Sequence, residues 1–363
     1  MHEQNNKMMK DFYHALRPAA WIYSSLMTLR NKLFDWGILP SERFSVPVIS
    51  VGNLAVGGTG KTPHVEYLVR LLRPERRVAV LSRGYGRKSH GFVLANCYIT
   101  SRELGDEPFQ IWQKFPDILV AVDANRRRGI RQLLSIPPDL RPEVVILDDA
   151  FQHRYVKPAF SILLTDCHRL FSRDFVLPEG RLREPKQGAA RADAVIITKC
   201  LPSMEETTQA LLRHELGPWT NGAALYWTTL EYGKFLPVFP DHAPDLPQGM
   251  IPPQGCVLLL TGIANPRPLE EKLRKITPNI TSMPFPDHHN YSSHDLRRIE
   301  TAFRQITAKK KYIVTTEKDA ARLQATSSLP EALKSFLYYI PITIRFLGNG
   351  ENEFVKHLKQ IIG

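Results

Sequence analysis

The chain has 363 residues, which at about 150 residues per domain suits two domains. Apolar residues make up 43% and charged residues 23%, ordinary values that exclude a collagen-like, coiled-coil or largely disordered chain. Lys and Arg total 48 against 36 Asp and Glu, a formal charge of +12, so the surface favours anionic partners: nucleic acid, acidic lipid or phosphorylated small molecules.

Four cysteines, Cys97, Cys167, Cys200 and Cys256, form no C-x-x-C pair. That speaks against a cysteine-built zinc site or a disulfide framework, and a reducing compartment is expected. No apolar run reaches the 18 or more residues of a membrane-spanning helix. Residues 1–11 lack the basic-then-apolar layout of a signal peptide.

The first expected element is an amphipathic helix over 16–39. Ile22, Leu26, Leu29 and Leu33 recur at helical spacing, and Ser24, Thr28, Asn31 and Asp35 repeat that spacing on another face. Pro18 lies near its start and Gly37 just past its end. Trp21, Tyr23, Phe34 and Trp36 stand among Lys7, Lys10, Arg17, Arg30 and Lys32. The pattern suits a helix lying in a membrane interface, and equally one packed on the protein's own core.

Strand and helix patterns then alternate. Val46–Val51, Val78–Ser82, Ile118–Val122, Val144–Leu147, Ser161–Thr165 and Ala194–Thr198 read as strands, and Thr62–Leu72 as a helix. This is the signature of βαβ units and a parallel sheet, whose ligands bind beyond the carboxyl ends of the strands. Ala224–Leu230 reads as a strand, and six prolines from Pro237 to Pro253 mark a linker. Val257–Leu260 and Tyr312–Thr316 as strands, with Pro268–Ile276 as a helix, predict a second, smaller α/β unit.

The sharpest motif is Val51-Gly52-Asn53-Leu54-Ala55-Val56-Gly57-Gly58-Thr59-Gly60-Lys61-Thr62-Pro63, between a strand and a helix. Its glycines let backbone N–H groups of Gly57, Gly58, Thr59 and Gly60 close around phosphate oxygens. Lys61 would reach the β- and γ-phosphates, the Thr62 hydroxyl would bind Mg²⁺, and the helix start adds partial positive charge. Ala55 stands where the general P-loop pattern has glycine. Asp148 and Asp149 end the apolar run Val144–Leu147, where a P-loop protein keeps a carboxylate for the Mg²⁺ shell. The guanine-reading Asn-Lys-x-Asp motif is missing: the corresponding stretch is Thr198-Lys199-Cys200-Leu201. No nucleic-acid-binding module is recognisable, so no nucleic-acid partner is expected.

Further stretches follow in order: LSRGYGR (81–87), LGDEP (104–108), DDAFQHR (148–154), LPEGRLREP (177–185), ADAVIITK (192–199), FPDHHNYS (285–292) and TTEKDAAR (315–322). With VGNLAVGGTGKTP (51–63), the sequence resembles the tetraacyldisaccharide 4'-kinase family of lipid A biosynthesis. That family's loop also lacks the first glycine, and Ala150 departs from a frequent glycine.

The resemblance implies an α/β fold: a P-loop NTPase-like core with a parallel sheet, plus a smaller α/β C-terminal domain joined by a β-linker. The divisions expected are 1–45 as a membrane-facing helical segment, 46–222 as the kinase core, 223–256 as a Pro-rich β-linker and 257–363 as the smaller domain. The implied activity is ATP- and Mg²⁺-dependent phosphorylation of the 4'-hydroxyl of a tetraacyldisaccharide 1-phosphate. It would take place at the cytoplasmic face of the bacterial inner membrane, by a peripheral and monomeric enzyme on an anionic surface. Asp106 matches the family's proposed base, Glu107 is a further metal candidate, and His288 matches the imidazole partner, with His289 as rival. A carboxylate–imidazole dyad can accept a proton near neutral pH. Arg83, Tyr85, Arg127, His153 and Arg183 are candidate substrate contacts, since arginine forks suit phosphate oxygens. Thr316-Glu317-Lys318-Asp319, after the last strand, is a nucleotide- or substrate-side candidate with no assigned role. The competing reading of the same P-loop is a regulatory NTPase that switches a partner.

Overall fold

A computed structural model describes residues 16–287, 289–326 and 328–363. The elements in chain order are α1 (Arg17–Asp35), β1 (Val48–Asn53), α2 (Lys61–Leu72), β2 (Val78–Ser82), β3 (Val93–Leu94), α3 (Ser101–Leu104), α4 (Asp106–Lys114), β4 (Leu119–Val122), α5 (Arg126–Leu134), β5 (Val144–Asp148), β6 (Phe160–Asp166), β7 (Ala194–Thr198), α6 (Glu206–Thr220) and β8 (Ala224–Tyr232). They continue with β9 (Leu236–Pro237), β10 (Cys256–Thr261), α7 (Arg267–Arg274), β11 (Ile280–Pro284), α8 (Ser293–Gln305), β12 (Lys311–Thr316), α9 (Glu317–Gln324), α10 (Glu331–Lys334), β13 (Leu337–Ile340), β14 (Ile342–Phe346) and α11 (Gly350–Ile362).

The first sheet has nine strands in the order β14-β8-β7-β6-β1-β5-β2-β4-β3. From β8 to β4 every pairing is parallel, and only the edge strands β14 and β3 run antiparallel. All six residues of β1 and all five of β5 are buried, as central strands of a parallel sheet covered on both faces must be. Val65, Leu68, Val69 and Leu72 of α2 cover one face, and Ile130 and Leu133 of α5 the other. The register pairs Val51 with Asp148 and Ser50 with Leu147. The loop after β1 therefore leaves the sheet directly beside the acids that end β5.

The second sheet has five strands, β11-β10-β12-β13-β9, parallel except at the edge pair β13–β9. Leu269 and Leu273 of α7 pack on one face, and Leu296, Ile299 and Phe303 of α8 on the other. Ser292 and Asp295 start α8 with a reciprocal capping box.

Two expectations are corrected. The C-terminal stretch 257–363 is not wholly part of the smaller unit, because β14 pairs with β8 and extends the first sheet. α11 then packs on that sheet through Phe354, Leu358 and Ile362, with Phe354 against Phe160 and edge-on to Tyr226. Burying this aromatic cluster is what draws the chain's end back. The linker is also shorter than 223–256: Ala224–Tyr232 lies in the first sheet and Leu236–Pro237 edges the second. The outgoing and returning strands meet at the crossing, where Gly233 N donates to Pro341 O over 2.9 Å.

α1 is helical as expected but turned inside out. Its polar side faces the protein: Tyr23 donates to Arg183 O (2.9 Å), Asn31 to Glu184 (3.0 Å) and Arg30 to Gln152 O (3.2 Å). Trp21, Ile22, Leu26 and Leu29 are 51–74% exposed, and only Ala20 and Phe34 are buried. Among the described residues no helix is long and apolar enough to cross a membrane.

Phe354→Ala is expected to destabilise the first sheet by about 3–5 kcal/mol, the usual cost of emptying a buried phenylalanine site. In urea, hydrogen exchange should speed up in peptides from β6 and β8. Unchanged protection there would detach α11 from the first unit's cooperative core.

Candidate active site

The loop from Asn53 to Gly60 is shaped by backbone that only glycine adopts freely. Gly57 and Gly60 have φ of +111° and +86°, and nothing lies within 4 Å of a Cβ placed on Gly57 or Gly58. Ala55 has no such conformation. It pairs as an antiparallel bridge with Leu182, and Val56 N donates to Arg181 O over 2.8 Å. Extended backbone needs no glycine, so the departure from the general P-loop pattern costs nothing.

Three side chains brace the loop. Asn53 Nδ2 donates to Thr59 Oγ1 (2.8 Å), Thr198 Oγ1 donates to Thr59 O (2.9 Å), and His64 Nδ1 lies 2.7 Å from Gly60 O. A carbonyl can only accept, so Nδ1 carries the proton, and Nε2, 3.1 Å from Thr228 Oγ1, accepts from that hydroxyl. Burial pushes the His64 pKa down to about 4, partly opposed by the Gly60 hydrogen bond, and keeps the ring neutral. Lys61 and Thr62 open α2, Thr62 is buried, and Pro63 sits in the first turn, where a missing N–H is tolerated.

The acids ending β5 have separate fates. Asp149, at φ +49°, lies 3.6 Å from Lys61 Nζ, and both its oxygens are 3.1 Å from Arg183 Nη1. Burial would raise its pKa, but Lys61 and then Arg183 outweigh this and hold the carboxyl below its ordinary value. Asp148 is 1% exposed. One oxygen accepts from Ser82 Oγ (3.1 Å), and the other, Oδ1, has no hydrogen-bond partner among the described residues. Burial first, then the charges of Glu107 and Asp149, push its pKa up to about 7. This buried carboxylate oxygen, in a group that feels the charge of Lys61, fits a divalent cation that completes its shell with phosphate and water oxygens.

Asp106 and Glu107 start α4, where the helix dipole favours them, after Gly105 at φ +92°. Both meet cations from α9 of the second unit. Arg322 Nη2 and Nε lie 3.0 and 3.1 Å from Asp106 Oδ2, and Lys318 Nζ lies 2.6 Å from Glu107. Burial works to raise the Glu107 pKa, but Lys318 and then Lys61 keep it low. Behind them Lys114 bridges the buried Glu66 of α2 and Glu317 of α9, at 2.6 Å each.

Arginines converge on His153, whose pKa falls to about 4 through burial and then through Arg126, Arg30, Arg127 and Arg83. Arg127 stacks over Tyr155 at 5.1 Å, Arg83 is exposed, and Tyr85 is 82% exposed on the loop after β2. Arg183 is committed to Asp149 rather than left on the surface. His288, the matched imidazole, lies outside the described residues. Its rival His289 is bound to Asp295 (3.0 Å) and stacked on Phe285.

Sequence reasoning missed the roles of four residues. Arg126 is buried, donating to Asp123 O (2.9 Å) and Asp148 O (3.3 Å), whereas only its neighbour Arg127 is a candidate from sequence. Lys318 stood in a candidate stretch without a role and Arg322 only in TTEKDAAR, with nothing local to show that they face the acids of another unit. His64, at helical spacing after the loop, carried no signal at all.

A glycine-shaped loop ahead of a helix, a lysine beside paired acids, and a further acidic pair facing it define a P-loop protein built for phosphoryl chemistry. A family model described as tetraacyldisaccharide-1-P 4'-kinase matches residues 12–363. A protein named tetraacyldisaccharide 4'-kinase from Parabacteroides distasonis is 50% identical over 351 residues, 96% of this chain and 95% of that relative. One of the same name from Bacteroides thetaiotaomicron is 49% identical, covering 94% of this chain and 91% of its own. The crystal structure of an "apo" form of LpxK from Aquifex aeolicus in complex with ATP aligns with a TM-score of 0.75 at 29% identity, over 97% of this chain and 100% of that one. The chain belongs to the tetraacyldisaccharide-1-phosphate 4'-kinase family.

The buried neutral His64 fixes a pH dependence. Above about pH 6.5 the ring is neutral in both folded and unfolded chains and contributes no slope. As pH falls from about 6.5 toward 4 the unfolded chain binds the proton and the folded one does not, so stability is lost, by roughly 3 kcal/mol in full. In urea titrations, His64→Gln is expected to flatten the decline between about pH 6.5 and 4. Parallel curves for the variant and the parent would show that His64 is not held neutral.

Proposed function

We propose that this protein transfers the γ-phosphoryl group of ATP to the 4'-hydroxyl of a tetraacyldisaccharide 1-phosphate, a step of lipid A biosynthesis. The observation that carries the reading is the convergence of Lys61, Asp148–Asp149 and Asp106–Glu107 at one edge of the first sheet, on a chain of this family. The Aquifex relative was crystallised in complex with ATP, and the site here has the loop such a nucleotide needs.

Gly57, Gly58, Thr59 and Gly60 would cradle the phosphates with backbone N–H groups, and Lys61 would neutralise the terminal oxygens. Thr62, Asp148 and Glu107 would hold Mg²⁺, with Asp149 beside them. When bound, the ion supplies charge neutralisation to the phosphate oxygens. Asp106 accepts the proton of the 4'-hydroxyl, and the sugar oxygen bonds to the γ-phosphorus. The bond from that phosphorus to the β–γ bridging oxygen breaks, and ADP leaves with that oxygen. His288 is assigned as the imidazole that shares the proton with Asp106. Arg83 and Arg127 beside His153, with the exposed Tyr85, would make the side that receives the lipid's 1-phosphate.

A four-chain lipid stays in its bilayer, so the enzyme must come to it. The outward apolar face of α1 suits insertion at an anionic surface, and its polar face is already occupied by the protein. The reading is a peripheral enzyme on the cytoplasmic face of the inner membrane. Each chain carries the whole site, so a monomer suffices.

With labelled ATP and tetraacyldisaccharide 1-phosphate in mixed micelles, label is expected on the lipid. Lys61→Ala and Asp106→Ala should each reduce transfer by about 100-fold or more with the fold intact by circular dichroism. Full transfer by either variant would overturn its assigned role. Replacing Trp21 and Leu26 together by Glu should release the protein from anionic vesicles in sedimentation, with transfer to a short-chain, micelle-free acceptor unchanged. Undiminished vesicle binding would remove α1 from the membrane contact.

A further inference from the structure

The TTEKDAAR stretch is the one conspicuous motif that the proposed chemistry leaves idle. Thr316 caps α9, donating from Oγ1 to Asp319 Oδ2 (2.7 Å) and accepting from Asp319 N (3.2 Å). Asp319 is fully buried. Its Oδ2 also accepts from Gly262 N (2.8 Å), and its Oδ1 accepts from Arg322 Nη1 (3.0 Å). Gly262 cannot be larger, since a Cβ there would stand 2.7 Å from Asp319 Oδ1.

Arg322, 5% exposed, is thus gripped from its own unit. Nη1 meets Asp319 and, at 3.3 Å, Gly262 O. Its other edge, Nη2 and Nε, meets Oδ2 of Asp106 in the first unit at 3.0 and 3.1 Å. A guanidinium keeps its charge and its planar fork at any working pH and has no acceptor, so it cannot exchange protons with substrate. What it can do is fix the plane and position of a carboxylate. Asp106 needs this. Glu107 is its neighbour in sequence, and Glu107 in turn feels the charges of Asp148 and Asp149. Repulsion from such a cluster drives an untethered carboxylate to turn away. One turn earlier on the same helix, Lys318 grips Glu107 at 2.6 Å.

We propose that Arg322 is a positioning residue for the transfer step: clamped by Asp319 and the Gly262 carbonyl, it holds Oδ2 of Asp106 and so sets how that carboxylate meets the acceptor hydroxyl. The inference rests on the reading of Asp106 given above. Because the clamp belongs to the second unit and the acid to the first, the correct orientation of Asp106 depends on their contact. Thr316, Asp319 and Gly262 act only through Arg322.

The test is a cycle of four enzymes, wild type, Arg322→Lys, Asp106→Asn and the double variant, assayed for transfer of labelled phosphate to the lipid disaccharide in mixed micelles. Lysine keeps the charge and loses the fork. Arg322→Lys should lower kcat by about 10- to 100-fold, the scale of a misplaced catalytic group, and leave the KM for ATP within about twofold. In the Asp106→Asn background the same substitution should change the residual rate by less than about twofold, because its only route to the chemistry is gone. A wild-type kcat for Arg322→Lys, or an equal loss in both backgrounds, overturns the proposal. If Arg322→Lys lacks a folded circular dichroism spectrum, Asp319→Asn carries the same cycle, loosening the clamp while leaving the guanidinium in place. A wild type that labels no lipid, or Asp106→Asn at full rate, instead overturns the reading of the site, and the proposal with it.

Discussion

Four carboxylates, Asp106, Glu107, Asp148 and Asp149, crowd the carboxyl edge of the first sheet, and balancing their charge organises what surrounds them. Two unit charges 4 Å apart interact by about 4 kcal/mol at the effective dielectric near 20 that suits such sites. Lys61 and Arg183 answer Asp149 from the first unit, while Lys318 and Arg322 answer Glu107 and Asp106 from the second. The contact between the units is therefore electrostatic where it matters most. Among the described residues Asp148 alone of the four forms no ion pair with a basic side chain, and it is the one whose pKa burial pushes up to about 7. A cation arriving with the phosphates would meet the oxygen that has no hydrogen-bond partner among the described residues.

The same segment that shapes the loop also sets its charge. Leu54 O accepts from Arg183 N (2.7 Å), Ala55 bridges Leu182, and Val56 N donates to Arg181 O. Having backed the loop with three successive backbone contacts, the segment turns the Arg183 side chain onto Asp149. Loop geometry and the pairing of Asp149 with Lys61 are thus mechanically linked, which explains why LPEGRLREP stands out beside the loop's own motif.

The central strands and the loop were legible because each is specified locally. Val78–Ser82 and Ala194–Thr198 are observed with the bounds expected, since an apolar run buried on both faces ends where its turn begins. What was not legible depends on partners far away in sequence. β14 is a short run that becomes a strand only by pairing with β8, more than a hundred residues earlier, so it was read into the wrong unit. β3 and β9, two residues each, carry no periodicity to detect. In the site, Lys61, Thr62 and the two aspartates at the end of β5 announced themselves through spacing. Arg126 and Arg322 did not, because nothing in a run of arginines says which guanidinium is buried against a carboxylate. The direction α1 faces was undetermined for a related reason: an amphipathic pattern names two faces without saying which one the protein covers.

That direction follows from the polar side of the helix. Arg17 pairs with Glu179 (2.8 Å), Tyr23 with the Arg183 carbonyl and Asn31 with Glu184, all within the segment that backs the phosphate loop. Arg154 closes the other end on Asn31 O and Asp35. Rolling the helix to bury Trp21, Ile22, Leu26 and Leu29 would break this set of hydrogen bonds, several of them part-buried, and leave their partners unsatisfied. The apolar face is therefore held outward by polar contacts rather than merely left there. On the proposed reading, the surface that enters the lipid is tied through one short segment to the loop that holds ATP. The helix then sets the height of the phosphates above the bilayer, and an acceptor anchored by four acyl chains can be met only at a fixed depth.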